Sequence, residues 1–285
     1  MSGIFWLASY PKSGNTWLRA LLTNYRLDRD EPVSINDLEG DPTASVRETF
    51  DECAGIDSAD LTPQQIEYYR PQVCEWLAAE SVEPLFLKIH DAYTYNANGR
   101  PLFSERATSG AIYLIRNPLD VAVSYAHHRA EAVDDTIRAM SREDAMLAGS
   151  DKPGNLLPQK LLSWSAHVCS WLDQPTLKVH VVRYEDMVRE PLTAFLAIVR
   201  FARLGVDPRR VRQAVEFSSF ERLQSQEAAH GFCEKQPTAL SFFREGRAGA
   251  WREHLTAPQV RQVVVDHREI MRRFGYLSGS DEILC

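Results

Sequence analysis

The N-terminal segment is the feature that most constrains how this chain can fold. Residues 4–9 (IFWLAS) form an apolar run of strand length, residues 10–15 (YPKSGN) have the composition of a turn, and residues 16–26 repeat apolar side chains at helical spacing. A strand that runs through a glycine-containing loop into a helix is typical of α/β proteins, which bind phosphate at such junctions. The segment therefore favours an α/β fold.

Three further apolar runs, residues 85–90, 111–115 and 179–182, also have the length of strands. Helical periodicity occurs at residues 61–79, 119–138, 161–171, 192–199 and 260–267. Apolar strands separated by helices predict a central, mainly parallel sheet flanked by helices. Because ligands of such sheets bind beyond the carboxyl ends of the strands, functional residues are sought there.

Composition narrows the class of protein. The 285 residues include 32 Lys and Arg against 39 Asp and Glu, a net charge of −7, and 44% are hydrophobic. These values are typical of a soluble globular protein and argue against nucleic acid as a partner. We find no linker, repeat, basic leader or apolar run of membrane-spanning length. We therefore expect a single domain over residues 1–285, located in the cytoplasm and with no membrane partner.

The five cysteines are scattered along the chain, and the last of them is Cys285. They form no Cys-x-x-Cys pair and no cluster with histidines, so the sequence argues against a disulfide framework and against structural zinc. No metal site is predicted.

The loop after the first predicted strand is the first candidate site. We call residues 10–17 (YPKSGNTW) the phosphate loop. Gly14 permits tight curvature, Lys12 adds positive charge, and Ser13 and Thr16 supply hydroxyl groups beside a helix N-terminus, which favours anions. The lysine precedes the glycine, so the loop is not a Walker A motif. The alternative is a tight turn with an ordinary helix cap.

Residues 116–125 (RNPLDVAVSY) follow the predicted strand at 111–115 and form the second candidate. Asn117 suits an N-cap and Pro118 suits the first helical position. Arg116 and Ser124 could then reach one phosphate group, with the arginine in a bidentate contact. The alternative is a surface ion pair between Arg116 and Asp120.

The third candidate is Lys88-Ile89-His90, at the end of another predicted strand. Residues i and i+2 share a face of a strand, so Lys88 and His90 should project together while Ile89 enters the core. A neighbouring cation should lower the imidazole pKa and keep His90 neutral, as a general base requires. The alternative is a solvated or structurally satisfied histidine, one of eight in the chain.

The fourth candidate, which we call the closing loop, is residues 242–252 (FFREGRAGAWR). Two glycines lie between its arginines, and aromatic residues stand at both ends, so the segment could fold over an anion as a lid. The alternative is a solvated basic loop before the last helix.

In this order the four segments resemble the sulfotransferases that use 3′-phosphoadenosine-5′-phosphosulfate (PAPS). Residues 10–17 are similar to the family's 5′-phosphosulfate loop, residues 116–124 to its 3′-phosphate motif, and residues 243–251 to its cofactor-closing motif. Lys88-x-His90 and residues 183–187 (RYEDM) match the landmarks between them, so the resemblance covers residues 4 to about 256. It implies a P-loop-like sulfotransferase fold. Asn15 replaces the threonine common in the animal enzymes, and bacterial members also have asparagine there.

The resemblance implies a set of donor-binding residues: Lys12, Ser13, Gly14, Asn15, Thr16, Trp17, Arg116, Ser124, Tyr184, Ser218, Phe220, Arg244, Glu245 and Gly246. The first five would hold the 5′-phosphosulfate. Arg116 and Ser124 would hold the 3′-phosphate, joined by Arg244 and the Gly246 backbone. Trp17, Tyr184 and Phe220 correspond to positions that contact adenine.

The resemblance also implies the chemistry. His90 would be the general base that deprotonates a hydroxyl acceptor, and Lys12 with Lys88 would stabilise charge on the bridging oxygen of PAPS. The product would be adenosine-3′,5′-bisphosphate (PAP), and the donor already carries an activated leaving group, so no metal is required. The expected acceptor is a small molecule or a glycan-like compound.

Two residues of the closing loop depart from the family pattern, and two alternative functions stay open. Glu245 stands where the family usually has lysine, and Ala250 where it usually has aspartate. Both departures affect the charge of the closing loop and its binding of the 3′-phosphate. The family's dimerisation motif is not matched, so no oligomeric state is inferred. The alternatives are a related P-loop kinase and a non-catalytic protein that binds adenosine bisphosphate.

Overall fold

A computed structural model describes residues 3–40, 45–148, 154–236 and 239–284, so Cys285 lies outside the described residues. The chain divides into two compact units. Unit 1 comprises Met1–Tyr10, Gly40–Tyr113 and Glu143–Val181, and unit 2 comprises Pro11–Glu39, Leu114–Arg142 and Val182–Cys285. The single domain expected over residues 1–285 stays a prediction.

The strands are β1 (Ile4–Ser9), β2 (Leu85–Ile89), β3 (Thr108–Ile115), β4 (Met146–Leu147), β5 (Gln159–Lys160) and β6 (Val179–Arg183). Four of them form a sheet in the order β2-β1-β3-β6, and β4 and β5 form a small antiparallel pair. β1 and β2 run parallel, with Ile4 opposite Leu85 and Ala8 opposite Ile89. Each of the four strands predicted from the sequence is present.

The helices are α1 (Asn15–Leu27), α2 (Arg47–Ala54), α3 (Pro63–Glu80), α4 (Pro118–Arg129), α5 (Val133–Met140), α6 (Trp164–Leu172), α7 (Tyr184–Arg189), α8 (Pro191–Phe201), α9 (Pro208–Phe217), α10 (Phe220–His230), α11 (Trp251–His254) and α12 (Ala257–Arg273). Along the chain, helices lie between β1 and β2 and between β3 and β6, whereas β2 is followed directly by β3. The central sheet with its flanking helices confirms the predicted α/β class. None of the helices in the described ranges combines the length and the apolar composition needed to cross a bilayer.

The core of unit 1 is rich in aromatic side chains. Trp6 on β1 and Trp171 on α6 have no exposed surface, and each ring centre lies 5.0 Å from that of Phe103. The parallel register of β1 and β2 brings the residues at the ends of both strands, Ser9 and His90, to the same edge of the sheet. Packing in this unit therefore sets the position of one candidate residue.

Unit 2 is mainly helical, and α1 lies in its interior. Leu18, Leu21 and Leu22 on α1 are buried, as their helical spacing predicts. α1 packs against α9, and the Tyr25 ring meets the Phe195 ring of α8 edge-on at 5.7 Å. A buried α1 gives the phosphate loop a fixed base.

The single helix predicted over residues 119–138 is wrong, because the chain forms α4 and α5 there. Ala130 takes a left-handed conformation with φ 53°, and its N–H donates to the His127 carbonyl oxygen at 3.3 Å. This residue ends α4 in the way that glycine usually does. Since alanine is the best helix former, the sequence carries no local signal for the break.

Candidate active site

The phosphate loop turns directly from β1 into α1. Gly14 is the N-cap, with φ 103°, and as a glycine it has no side chain to cap the amides of the first turn. The Leu18 N–H makes the first helical hydrogen bond, to the Gly14 carbonyl oxygen at 3.1 Å. An uncapped helix N-terminus directs its amide donors and positive dipole end at the loop, which suits a phosphate or sulfate group. The alternative of a tight turn with an ordinary helix cap stays open, because glycine is itself a common N-cap residue.

A buried hydroxyl in the phosphate loop points to a ligand. Ser13 is 1% exposed, and its Oγ has no hydrogen-bond partner among the described residues. A buried hydroxyl without a partner costs free energy, so such groups need an explanation. A side chain at position 14 is excluded, since a Cβ there would lie 2.8 Å from Cδ2 of Tyr184. The loop is packed tightly around groups that suit an anion.

Lys12 takes a left-handed backbone conformation, with φ 67°. Its ammonium lies 3.9 Å from the centre of the Phe242 ring, which is close enough for a cation–π interaction. The structure thus joins the phosphate loop to the first residue of the closing loop through a side-chain contact. Both residues belong to candidate sites, but the sequence does not predict this pair.

Arg116, just beyond β3, links the same two loops. Its guanidinium donates to the Lys12 carbonyl oxygen at 3.1 Å and to the Arg247 carbonyl oxygen at 3.3 Å, and it lies 4.2 Å from the Tyr184 ring centre. Its Nε is buried and has no hydrogen-bond partner within the described residues. The alternative of an ion pair with Asp120 is not observed, because the Asp120 carboxylate is bound elsewhere.

The start of α4 agrees with the prediction. The Asn117 side chain accepts a hydrogen bond from the Leu119 N–H at 3.0 Å, and Pro118 is the first helical residue. The Asn117 N–H donates to Glu185 at 2.9 Å. Burial raises the pKa of that carboxyl. Ser124 lies half-buried on α4, and in the described part of the chain no hydrogen bond joins it to Arg116.

Two carboxylates anchor the ends of the closing loop. Glu227 accepts hydrogen bonds from the N–H groups of Phe242 at 2.7 Å and Phe243 at 2.9 Å. Asp120 accepts from the N–H groups of Gly249 at 2.7 Å and Trp251 at 2.9 Å. Sequence reasoning missed both roles, since each carboxylate is separated along the chain from the N–H groups that it binds. Asp120 offered one signal, its place directly after the Arg116 motif.

Glu245 balances the positive charge inside the closing loop. Its carboxylate lies 2.9 Å from Arg244, 3.1 Å from Arg247 and 3.0 Å from the imidazole of His254. Arg247 also pairs with Glu253 at 2.5 Å. Glu245, one of the two closing-loop residues that depart from the family pattern, is thus the centre of an ion-pair cluster, and that cluster contains Arg244, which is predicted to contact the 3′-phosphate.

The residues predicted at the adenine site lie near one another in unit 2. The Trp17 indole N–H donates to the Ser218 carbonyl oxygen at 2.9 Å, and its ring meets Tyr184 edge-on at 5.9 Å. Trp17 and Phe220 both pack against the same apolar cluster. Gly246 has φ 63° and abuts the Phe220 ring so closely that a Cβ would overlap it. Three predicted aromatic residues and the closing loop are thus connected through packing.

His90 and Lys88 lie in unit 1. Ile89 is 1% exposed, which confirms its predicted place in the core. The Nδ1 atom of His90 lies 2.8 Å from the Ser9 carbonyl oxygen, and since a carbonyl only accepts, Nδ1 carries the proton. In neutral His90 the lone pair is then on Nε2, the arrangement that a general base needs. The predicted effect of Lys88 on the His90 pKa stays a prediction.

Comparison with known proteins identifies the family. The model of the sulfotransferase domain matches residues 3–275, which include the phosphate loop, the Arg116 motif and the closing loop. The chain therefore belongs to the sulfotransferase domain family, and the resemblance drawn from the motifs is confirmed. Within the described residues, histidine, cysteine and acidic side chains form no group that could hold a metal ion.

Curated relatives have low sequence identity to this chain, but the matches cover most of both proteins. Flavonol 3-sulfotransferase of Flaveria bidentis is 24% identical over 274 residues, which are 90% of this chain and 78% of that protein. Cytosolic sulfotransferase 17 of Arabidopsis thaliana is 25% identical, over 96% of this chain and 76% of its own.

Solved structures confirm the predicted P-loop-like sulfotransferase fold. Mouse sulfotransferase SULT7A1 complexed with PAP matches with a TM-score of 0.60 and 20% identity, over 95% of this chain and 85% of that one. The sulfotransferase domain from the Synechococcus PCC 7002 olefin synthase matches with a TM-score of 0.51 and 17% identity, over 96% and 95%.

Proposed function

We propose that this protein transfers a sulfuryl group from PAPS to a hydroxyl of a small-molecule or glycan-like acceptor and releases PAP. The observation that carries the proposal is a pair of polar atoms without partners among the described residues: the buried Ser13 hydroxyl and the Nε of Arg116. Both belong to segments with family motifs, and both suit an anionic ligand.

The residues of the phosphate loop fit the 5′ end of the donor. In this proposal the Lys12 ammonium, the Ser13 and Thr16 hydroxyls and the backbone of residues 13–16 hold the phosphosulfate. The uncapped N-terminus of α1 supplies amide donors. The contact of Lys12 with Phe242 keeps its ammonium near the loop. Binding of this kind relies on fixed positive charge and oriented dipoles.

The 3′-phosphate would lie at Arg116 and Ser124, with Arg244 and the Gly246 backbone contributing from the closing loop. Arg116 is already oriented by two carbonyl oxygens and by the Tyr184 ring, so its guanidinium is partly preorganised. Arg244 starts from an ion pair with Glu245, which it would exchange for the phosphate. Trp17, Tyr184 and Phe220 would surround the adenine ring.

For the transfer step we propose His90 as the general base. As the acceptor oxygen bonds to sulfur, His90 Nε2 takes the hydroxyl proton, and the bond between sulfur and the bridging oxygen breaks. The electron pair of that bond stays on the bridging oxygen, which becomes part of the 5′-phosphate of PAP, and Lys12 and Lys88 would stabilise the charge there. The hydrogen bond from Nδ1 to the Ser9 carbonyl supports the assignment, because it keeps the neutral ring in the correct tautomer.

We also propose a cytoplasmic location. A curated relative carries the word cytosolic in its name. In addition, no disulfide joins the cysteines of the described residues, as is usual for proteins of reducing compartments.

The donor is tested by calorimetric titration of metal-free protein with PAP, 5′-AMP and ATP. We expect a clear preference for PAP in the wild type and a loss of about 10–100-fold in PAP affinity in Arg116→Ala, the range for a charged hydrogen bond. Arg138→Ala is the matched control, since Arg138 is 70% exposed and pairs only at the surface with Asp135. Preference for ATP with magnesium would instead support the kinase alternative.

The base is tested with His90→Ala and labelled PAPS, using p-nitrophenol and 2-naphthol as first acceptors and then a wider hydroxyl panel. We expect turnover to fall by at least 100-fold while PAP affinity changes little, because general base catalysis contributes about 10²–10⁴-fold. Full activity in this variant would remove His90 as the base. Tight PAP binding by the wild type without transfer to any acceptor would favour the non-catalytic alternative.

A further inference from the structure

One face of α6 contacts the segment that follows β2. The helix begins after Ser163, whose hydroxyl accepts a hydrogen bond from the Ala166 N–H at 3.1 Å. His167 and Trp171 are one turn apart, so they share a face of the helix, and neither has any exposed surface. Both side chains carry an N–H donor.

These two donors bind consecutive carbonyl groups of the main chain. The Nε2 atom of His167 lies 3.0 Å from the His90 carbonyl oxygen, and the Trp171 indole N–H donates to the Asp91 carbonyl oxygen at 2.9 Å. Ser170, between them on the helix, accepts from the Tyr93 N–H at 2.9 Å. The helix thus holds the main chain on the C-terminal side of His90 at three points.

The hydrogen bonds of His167 determine its tautomer. A carbonyl only accepts, so the proton is on Nε2, and Nδ1 accepts a hydrogen bond from the Tyr113 hydroxyl at 2.7 Å. Burial lowers the pKa of His167 to about 4, so the ring is neutral. Burial also raises the pKa of Tyr113, so its hydroxyl keeps the proton that it donates. Each of the two hydrogen bonds that link Tyr113, His167 and the His90 carbonyl therefore has both a donor and an acceptor.

The neighbouring residue Asp91 is held just as firmly. Its carboxylate accepts from Arg70 at 2.5 Å and from the Ser45 hydroxyl at 2.9 Å. All three side chains are buried. The peptide between His90 and Asp91 is therefore fixed at its carbonyl oxygen by His167 and on its C-terminal side by a buried ion pair.

We propose that His167, oriented by Tyr113, is a positioning residue for His90. The ring of His90 is held at Nδ1 by Ser9 and its main chain is held by His167, and both contacts are needed to keep the lone pair of Nε2 in one direction. This inference rests on the proposed function for the role of His90 as base. Without the His167 contact, the His90 peptide can rotate, the ring loses the Ser9 carbonyl, and the tautomer protonated on Nε2 becomes populated.

The test compares His167→Gln with His167→Met. The two new side chains have the same length, but only the glutamine amide can donate to the His90 carbonyl from about the place of Nε2. His267→Met is the control for loss of a buried histidine, because burial also lowers the His267 pKa to about 4 and this residue lies on α12 of the other unit. The tautomer of His90 is measured by ¹⁵N NMR of histidine-labelled protein with PAP bound, a readout that requires no acceptor.

We expect His167→Met to convert His90 to a mixture of tautomers and to lower kcat at least tenfold, with the KM for PAPS changed by less than twofold. His167→Gln and His267→Met should retain the wild-type tautomer and at least half of the wild-type kcat. Should His167→Met fail to fold, His167→Asn carries the test, because the shorter amide can still accept from the Tyr113 hydroxyl near the place of Nδ1 but does not reach the His90 carbonyl, so it should also mix the His90 tautomers.

A wild-type His90 tautomer in His167→Met, or in His167→Asn where that variant carries the test, would overturn the inference. That failure is distinct from failure of the proposed function. If His90→Ala remains fully active, the role of His90 as base is wrong, whereas the NMR comparison still decides whether His167 orients the ring.

Discussion

The phosphate loop and the closing loop both carry cationic groups, but their charges are arranged in opposite ways. In the phosphate loop, α1 has no side-chain cap and the Ser13 hydroxyl has no partner among the described residues. In the closing loop, Glu245 pairs with two arginines and a histidine. One loop is assembled with its donors directed at a ligand, and the other is neutralised by its own carboxylate.

This difference predicts unequal contributions to donor binding. The Ser13 hydroxyl and the Arg116 Nε give up no hydrogen bond to the described residues when an anion binds, so more of their attraction contributes to affinity. Arg244 must exchange one ion pair for another, so its net contribution is small. Under the proposed function, affinity for PAP should therefore come mainly from the phosphate loop and Arg116.

The largest effect is expected from Gly14→Ala. The added Cβ would lie 2.8 Å from the Tyr184 ring in a left-handed conformation, so the loop must shift. Strain of this kind costs about 1–3 kcal/mol, and we expect PAP affinity to fall by up to about 100-fold in calorimetric titration. Gly99→Ala is the control, since Gly99 also has positive φ but a Cβ there would meet nothing within 4 Å. Equal PAP affinity in both variants would mean that the phosphate loop is not the donor site.

Asp120→Asn should come next. The Asp120 carboxylate accepts one hydrogen bond from the Gly249 N–H and one from the Trp251 N–H, whereas an asparagine amide can accept only one of them and would turn its NH₂ group toward the other donor. The closing loop loses its anchor beside Arg116, and we expect PAP affinity to fall about tenfold, the value of one charged hydrogen bond. Asp135→Asn, which changes an exposed carboxylate of α5, serves as the control. Unchanged affinity would show that this end of the loop needs no anchor.

A smaller loss is expected from Arg244→Ala. Because the Arg244 guanidinium is paired with Glu245 at 2.9 Å, its removal should weaken PAP binding by no more than about fivefold, the upper range for a partly exposed ion pair. The same titration of Arg116→Ala gives the reference. A loss as large as that of Arg116→Ala would contradict the proposed compensation within the closing loop.

The smallest change, and the only gain, is expected from Glu245→Gln. The substitution keeps the shape of the side chain but removes its charge, so Arg244 and Arg247 become available to the donor. We expect PAP to bind about threefold more tightly at low salt, and the gain to shrink at higher ionic strength because exposed charges are screened. The salt series is the measurement. Weaker binding in this variant would mean that Glu245 organises the loop for the donor instead of competing with it.

Much of the fold could be predicted from local patterns. The apolar run of β1, the glycine before α1 and the Asn117-Pro118 start of α4 each depend on neighbouring residues, and all three were found where the sequence placed them. The break at Ala130 was missed, since a left-handed alanine depends on the packing around it. The same holds for the candidate site. Each motif is a continuous stretch of sequence and could be predicted, but the residues that contact it lie far away along the chain and could not.

By itself, the sequence determined the four strands of the central sheet, the phosphate loop and the family motifs, because these features are carried by residues within one turn or one strand of each other. Only the tertiary structure decided which carboxylate anchors the closing loop, since Asp120 and Trp251 are 131 positions apart. It likewise decided that His167, 77 positions from His90, donates to the His90 carbonyl. Tertiary packing and the free-energy cost of leaving buried polar groups unpaired determine these partners, and neither can be inferred from a local stretch of sequence.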